Sequence, residues 1–423
     1  MKALKIFHIV FFIMLYNAQF YYAQDYPYSP KQYDFIAYEK NKLWMPKDSQ
    51  SFIGFYKKLD KLMFEGEGKI NVIHIGGSHV QADIVSNRVR ERLSTFHPGN
   101  KGSRGLLFPF RVAGTNNPYN YSVNYTGNWE NCKNTKHNIP CELGLTGISV
   151  TTYDTLSSIT ISFDSQAAKR YYFNKLKIYH ALSSDLFNII PIGIDSSKYT
   201  IVTDTSKGIT ELFFHSSHTQ MGVQFVKKDS TQRRFVLYGM QFENDEPGIT
   251  YHSIGVNGAS THSYLRCSLF DEHMAEIQPN MVIMGIGIND ASGKDFDVSV
   301  FESNYRKLIA SIRAVSPDVA IILITNNDSF RKSRRKYYVN KNGEVVKDAM
   351  YRLSAELNVA VWDFYSIMGA QSSMDTWYKN GLAQRDRVHF SSSGYKIMGD
   401  LLSESILRGL ENYLKRYYNS MQE

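Results

Sequence analysis

Cysteine is scarce in this chain, which has three in 423 residues. Small exported domains that are held together by disulfides contain many more, so this fold cannot depend on a disulfide framework. Cys132 and Cys141 are close enough in sequence to close a small loop, and the sequence leaves open whether they form a disulfide or stay as two unpaired thiols. Cys267, in a stretch with helical character, is predicted to be a small core residue.

Long apolar runs are also scarce, and the one that occurs lies at the N-terminus. Residues 1–23 contain Lys2 and Lys5, then an apolar run over 6–15, then small residues before the sequence YYAQ. This order is typical of a secretory signal peptide, with an N-terminal membrane anchor as the alternative, although the run is short for a bilayer. No later run is long and apolar enough for a second span. We therefore expect a periplasmic or secreted protein with no stable membrane span after signal cleavage.

The chain has no dense basic stripe, although its 48 basic and 40 acidic residues give a formal net charge of +8. So modest an excess argues against a nucleic-acid partner and suits an anionic partner in the cell envelope. The most basic segment, SFRKSRRKYYVNKNGE at 329–344, is predicted to be a solvated loop, with a rim that meets an acidic polymer as the alternative. The histidines lack the spacing of metal ligands, so we expect neither a metal nor another cofactor.

Apolar and aromatic side chains, at 43% and 14%, are plentiful enough for a sizeable core. Short alternating runs such as SSITISFDS and RRFVLYGMQFE fill residues 111–242 and predict an antiparallel β-sandwich. Further along, strand-like runs alternate with helical patterns over 301–315 and 344–357, which predicts a parallel sheet covered on both faces. We therefore predict an α/β domain in two parts, 24–110 and 243–423, interrupted by an inserted β-rich domain.

A strand meets a helix in the sequence INVIHIGGSHVQADIVSNRVRERL, which begins at Ile70. Its first residues form an apolar run suited to a buried strand, and the apolar residues that follow recur at the spacing of one helix face, at Val80, Ile84, Val85 and Val89. Ser78 is thus predicted at a helix N-terminus, on the carboxyl edge of a sheet, where open α/β sheets bind ligands. A serine there either caps the helix or, given a base, an orienting acid and oxyanion donors, acts as a nucleophile.

Candidates for those partners occur later in the chain. In RDRVH, Asp386 precedes His389 by three residues, a spacing at which a turn can bring the carboxylate to one ring nitrogen and leave the other free as a base. The strand VIMGIGIND ends near Asn289, whose amide could donate to an oxyanion, and the turn in SIGVNGAS offers the backbone N–H of Gly258. Taken alone, each of these features is better explained by ordinary turn structure than by catalysis.

Together and in this order, GGSH, VNGAS, GIND and DRVH resemble the four blocks of the SGNH/GDSL hydrolase superfamily, over roughly Lys69–Phe96 and Ile249–Leu414. The resemblance implies a three-layer α/β sandwich with a parallel sheet. It also implies a serine hydrolase in which Ser78 is the nucleophile, His389 the base and Asp386 the orienting acid. The oxyanion hole would consist of Ser78, Gly258 and Asn289.

One position departs from the family pattern, because Gly77 replaces the usual Asp before the serine. That Asp is not the triad acid, so its absence is expected to loosen or reshape the nucleophile turn without removing the triad.

A closer resemblance is to the exported SGNH esterases that deacetylate peptidoglycan, which carry a histidine after the serine, as His79 does here, and a β-sandwich insertion. This implies an O-acetylated glycan as the partner, with the insertion serving recognition. The alternatives are an esterase or acetyltransferase acting on another polysaccharide, or a non-catalytic glycan-binding protein.

Overall fold

The computed structural model describes residues 33–46, 50–163, 171–334 and 336–419, so the predicted signal peptide lies outside the described residues. The helices are α1 (Gln50–Glu65), α2 (Ser78–Gln81), α3 (Ile84–Thr95), α4 (Thr261–Leu265), α5 (Phe270–Ile277), α6 (Val298–Val315), α7 (Asn342–Leu357), α8 (Phe364–Ile367), α9 (Ser373–Lys379) and α10 (Ser392–Asn419). Within these ranges no helix combines the length and the apolar character that crossing a bilayer requires.

The strands fall into a parallel-containing sheet, two antiparallel sheets and a hairpin. They are β1 (Leu43–Trp44), β2 (Lys69–Gly76), β3 (Gly105–Leu107), β4 (Ser122–Thr126), β5 (Glu130–Lys133), β6 (Ile148–Thr152), β7 (Leu156–Ser162), β8 (Phe173–His180), β9 (Asn188–Pro191), β10 (Tyr199–Asp204), β11 (Ile209–His218), β12 (Gln220–Val226), β13 (Phe235–Glu243), β14 (Gly248–Gly255), β15 (Met281–Gly285), β16 (Ala320–Ile324), β17 (Phe330–Ser333), β18 (Lys336–Val339) and β19 (Ala360–Trp362).

The central sheet has the order β1-β19-β16-β15-β2-β14 and is parallel except for β1 at one edge. Its inner strands are almost completely buried, as expected for apolar strands covered on both faces. Neighbouring side chains of β2 point to opposite faces, so Val72 packs with α1, α3 and α10, whereas Ile73 packs on the side of α6 and α7. The predicted three-layer α/β fold is confirmed.

The antiparallel strands between β2 and β14 form two sheets, which agrees with the predicted β-rich insertion. One has the order β10-β11-β8-β13-β6-β5, with β3 also paired to β13, and the other the order β4-β7-β12-β9. Their inner residues, such as Leu176 and Val223, share one continuous hydrophobic core with Ile73 of the central sheet. The domain limits 24–110, 111–242 and 243–423 stay a prediction. The shared core means that the insertion packs directly against the α/β layers.

The single helix expected after Ser78 is in fact two, because the chain breaks between α2 and α3. At the break Asp83 adopts a left-handed conformation with φ 51°. Its buried carboxylate accepts hydrogen bonds from Arg90, Arg104 and Asn120, and the charge-assisted bonds outweigh the cost of that backbone conformation.

Three smaller expectations are also resolved. The basic segment 329–344 is not wholly a loop, since it contains the β17-β18 hairpin and the start of α7. Cys132 and Cys141 form a disulfide, so that one of the two open alternatives holds. Cys267 is buried as predicted, but it lies between α4 and α5 and not on a helix.

Candidate active site

Three of the predicted site residues leave the central sheet side by side. β2 lies between β14 and β15, and Gly76 is paired with both Gly255 and Gly285. The three strands therefore end at one level, and the segments that follow carry Ser78, Gly258 and Asn289. This is the carboxyl edge of a parallel sheet, where such folds bind their ligands.

The turn after β2 has no room for side chains. A Cβ on Gly76 would lie 2.4 Å from Val80 Cγ2, and a Cβ on Gly255 would lie 2.2 Å from the backbone nitrogen of Gln81. Helix α2 therefore starts directly against the strand ends, which only glycine permits. Ser78 is its first residue, so its backbone N–H has no partner within the helix.

Ser78, His389 and Asp386 form a continuous chain of hydrogen bonds. His389 Nε2 lies 2.8 Å from Ser78 Oγ, and His389 Nδ1 lies 2.6 Å from Asp386 Oδ2. An ionised carboxylate can only accept, so Nδ1 carries the ring proton and Nε2 accepts from the serine hydroxyl. The side chains of His389 and Asp386 are 33% and 46% exposed, so substrate and water can reach them.

Asp386 stays ionised at any physiological pH. Partial burial acts to raise its pKa, but hydrogen bonds from the His389 ring and from the backbone N–H groups of His389 and Val388 outweigh burial and lower the pKa to about 2. Both backbone N–H groups donate to Asp386 Oδ1 over 3.0 Å. One carboxylate oxygen therefore fixes the turn, and the other orients the imidazole.

The predicted donor Asn289 lies beside the start of α2, and Gly258 lies on the segment that Gln81 of α2 contacts through Asn257. Asn289 Nδ2 donates to Ala259 O over 2.9 Å and lies 3.3 Å from where a Cβ on Gly77 would be. One amide hydrogen is thus used to hold the Asn289 side chain beside Gly77, and the second remains. Gly258 has φ +81°, a conformation that favours glycine, and it is exposed.

Two other carboxylates of the α/β part, Asp290 and Asp400, are engaged away from His389. Asp290 accepts hydrogen bonds from the backbone and hydroxyl of Thr261. Asp400 accepts from Arg88 and Arg92, on helix α3. Asp386 is therefore the carboxylate that the fold brings to this imidazole.

Arg387 is a site residue that the sequence analysis missed. Its guanidinium lies between the rings of Tyr337 and Tyr378, at 4.4 and 4.6 Å from their centroids, and pairs with Asp375 over 2.9 Å. Its backbone has φ 55°, and its carbonyl accepts from the N–H of Phe330. The turn between Asp386 and His389 is thus held by a side chain whose partners lie on the hairpin and on α9.

His79, the residue after Ser78, is buried next to the predicted base. Its Nδ1 lies 2.6 Å from the hydroxyl of Tyr395, and its ring is 5.2 Å from that of His389. Burial, followed by the proximity of His389, lowers the pKa of His79 to about 3, so this ring is neutral. In the described part of the chain no group of three or more His, Cys, Asp or Glu residues could hold a metal ion.

The model of the GDSL-like lipase/acylhydrolase family matches residues 217–397, which include Gly258, Asn289, Asp386 and His389. The fold is also similar to a solved structure described as a peptidoglycan O-acetylesterase, with 20% identity, a TM-score of 0.71, and coverage of 88% of this chain and 99% of that one. The family model thus matches less than half of this chain, and the shared fold extends the similarity to most of it.

Shorter similarities involve other hydrolases of this kind. A lipase/acylhydrolase from Enterococcus faecalis has 26% identity over 38% of this chain and 76% of its own, with a TM-score of 0.30. The acetylxylan esterase Axe2 from Geobacillus stearothermophilus has 21% identity over 38% of this chain and 73% of its own, also with a TM-score of 0.30. No match is found among curated proteins. The family-model match and the shared fold agree with the predicted resemblance to the SGNH/GDSL superfamily, while the catalytic roles of individual residues stay predictions.

Proposed function

We propose that this protein is an exported serine esterase that removes O-acetyl groups from a cell-wall glycan, with peptidoglycan as the favoured substrate. The observation that carries the proposal is the hydrogen-bond chain from Ser78 Oγ through His389 to Asp386 at the carboxyl edge of the sheet. A serine, a base and an orienting acid in this geometry are the components of acyl transfer through a covalent intermediate.

In the proposed reaction, Ser78 Oγ attacks the acetyl carbonyl while His389 Nε2 takes the hydroxyl proton. The tetrahedral oxyanion accepts hydrogen bonds from the backbone N–H groups of Ser78 and Gly258 and from the Asn289 amide. When the intermediate collapses, His389 returns the proton to the departing sugar oxygen and the acetyl group stays on Ser78. Water activated by the same imidazole then releases acetate. One oxyanion donor typically contributes about 3–4 kcal/mol to lowering the barrier.

Two observations support a glycan ester as the substrate class. The solved structure that matches this chain over 99% of its own length is described as a peptidoglycan O-acetylesterase. The antiparallel insertion borders the site as well, because Thr115 and Asn116 accept hydrogen bonds from Gln81 of α2. Export rests on the signal-like residues 1–23.

The test is acetate release from intact O-acetylated peptidoglycan by the wild-type protein and by Ser78→Ala. We expect the wild type to release acetate and Ser78→Ala to release none above background, since the covalent route is lost while the fold loses no buried contact. Near-UV circular dichroism serves as the fold control. Turnover by a folded Ser78→Ala protein would refute the assignment of Ser78 as the nucleophile. Transfer of the acetyl group to an added sugar, without free acetate, would instead indicate an acetyltransferase.

A further inference from the structure

The loop closed by the Cys132–Cys141 disulfide lies against the segment that carries the proposed oxyanion glycine. A Cβ on Gly258 would lie 3.9 Å from Thr135 Cγ2. Arg266, which follows α4, donates to Asn134 O over 2.8 Å and to Ile139 O over 3.2 Å, and so holds both halves of the loop. The loop is therefore tied to the segment that carries Gly258, and we call it the rim.

This rim has an excess of positive charge. Lys136 and His137 are exposed on the loop, Lys133 is partly exposed, and the guanidinium of Arg266 is bound to the loop backbone. Lys136 and Arg266 donate hydrogen bonds to neutral oxygens, which for Lys136 is Asn131 Oδ1. Among the described residues, Lys133, Lys136 and Arg266 form no ion pair.

The neighbouring groups increase this excess. The His137 ring lies 5.4 Å from that of His262 on α4. The pKa of His137 is lowered by burial and then by Arg266 and His262, and that of Lys133 by burial and then by Lys136. Each charged group that acts on these two side chains is thus itself a cation or a histidine. An anion placed here would relieve the repulsion among them.

We propose that the Cys132–Cys141 loop is a subsite for a carboxylate of the substrate, borne by the glycan or by a peptide attached to it, and that Lys133 and Lys136 bind it. This inference rests on the proposed esterase function and narrows its substrate to anionic glycans. A neutral acetylated glycan, such as a xylan, would leave these cations unpaired. A carboxylate would gain charge-assisted hydrogen bonds, and its approach would be steered by the local field.

The test compares Lys133→Gln/Lys136→Gln with the charge-matched control Lys57→Gln/Lys58→Gln, whose lysines are exposed on α1. The substrates are soluble O-acetylated muropeptides, which carry carboxylates, and two neutral esters, acetylated xylo-oligosaccharides and 4-nitrophenyl acetate. We expect the first variant to lose about tenfold in kcat/KM on muropeptides, through KM, and less than about twofold on the neutral esters. The control should match the wild type. An equal loss on all substrates, or none on muropeptides, would overturn the proposal.

A binding measurement separates this inference from the proposed function. De-acetylated muropeptides and a neutral chitin oligosaccharide are titrated into Ser78→Ala, with and without the two lysine changes. The lysine changes should weaken muropeptide binding about tenfold and leave the chitin oligosaccharide unaffected, and added salt should weaken only the former. If the wild type released no acetate but this binding pattern were observed, the proposed subsite would be supported and the proposed esterase function would be refuted. If the affinity for muropeptides did not change with the lysine substitutions or with salt, the proposed subsite would be refuted even if the protein were an active esterase.

Discussion

Replacing Asp386 by Asn isolates the contribution of the orienting acid, because it preserves shape and removes one charge. In the wild type Oδ1 accepts from the N–H groups of Val388 and His389, and Oδ2 accepts from the His389 ring. In Asp386→Asn the side-chain oxygen would keep the two backbone bonds. The new NH2 group would then face His389 Nδ1, where it can only donate. The imidazole would have to place its proton on Nε2, which could no longer accept from Ser78.

The expected size of this effect follows from the exposure of the pair. In serine hydrolases with a buried triad acid, the wrong tautomer costs about 10⁴ in kcat. Here the Asp386 side chain is 46% exposed, so water can partly take over its role. We therefore expect a loss of about 10²–10³ in kcat, which corresponds to about 3–4 kcal/mol in the barrier.

The assay is steady-state hydrolysis of 4-nitrophenyl acetate, which needs no glycan contacts. KM should change little, because Asp386 does not face the substrate in the proposed reaction. Asp290→Asn is the matched control, since that carboxylate accepts from Thr261 and not from His389. A folded Asp386→Asn enzyme that retained half or more of the wild-type kcat would refute the assignment of the acid.

Two further predictions follow from groups next to the triad. Arg387→Ala should lower kcat about tenfold with KM for a neutral ester unchanged, because the clamp between Tyr337 and Tyr378 orients the Asp386 turn; a change in KM alone would contradict this role. Burial lowers the pKa values of His74 and His79 from 6.5 to about 3. The contribution of these two neutral rings to the free energy of unfolding is therefore fully present above pH 6.5 and is lost as the pH falls towards 3. In thermal unfolding, His74→Gln should reduce the destabilisation at pH 5 by about 1–2 kcal/mol, and His215→Gln, at an exposed position, serves as the control. If the free energy of unfolding depended on pH equally in both variants, the prediction would be wrong.

The site residues were predictable because local pattern and sheet topology determine their positions. Ser78, Gly258 and Asn289 each follow a strand, and adjacent parallel strands deliver their carboxyl ends to one edge. Asp386 and His389 are close in sequence, so one turn suffices to join them. Neither step requires knowledge of distant contacts.

Features that depend on distant side chains could not be predicted. The break at Asp83 depends on Arg104, Asn120 and Ser253, which the chain supplies far from the helix. A 3.6-residue apolar period continues through the break and gives no sign of it. In the same way, the sequence around Arg387 does not indicate that two tyrosines from separate elements enclose its guanidinium.

The insertion is expected to serve recognition, but its packing against the central sheet does not separate it from the candidate active site. The alternating strands of the insertion predict a β-sandwich, but they do not reveal what its outer face packs against. In the structure its core is continuous with that of the central sheet. Its loops, moreover, contact the site at Thr115, Asn116 and Thr135. The insertion therefore supplies part of the wall of the site.

Gly77 illustrates how the same turn can be held without the usual Asp. A Cβ at this position would lie 3.3 Å from Asn289 Nδ2 and 3.5 Å from Ala259 O, so the turn is already packed against the Asn289 amide. The strand end before it is fixed by the Tyr264 hydroxyl, which donates to Gly76 O over 2.8 Å. On the other side, Gln81 Oε1 accepts from the N–H of Asn257 over 2.7 Å. These contacts tie α2 to the strand end and to the Gly258 segment, and none of them requires an acidic side chain at Gly77.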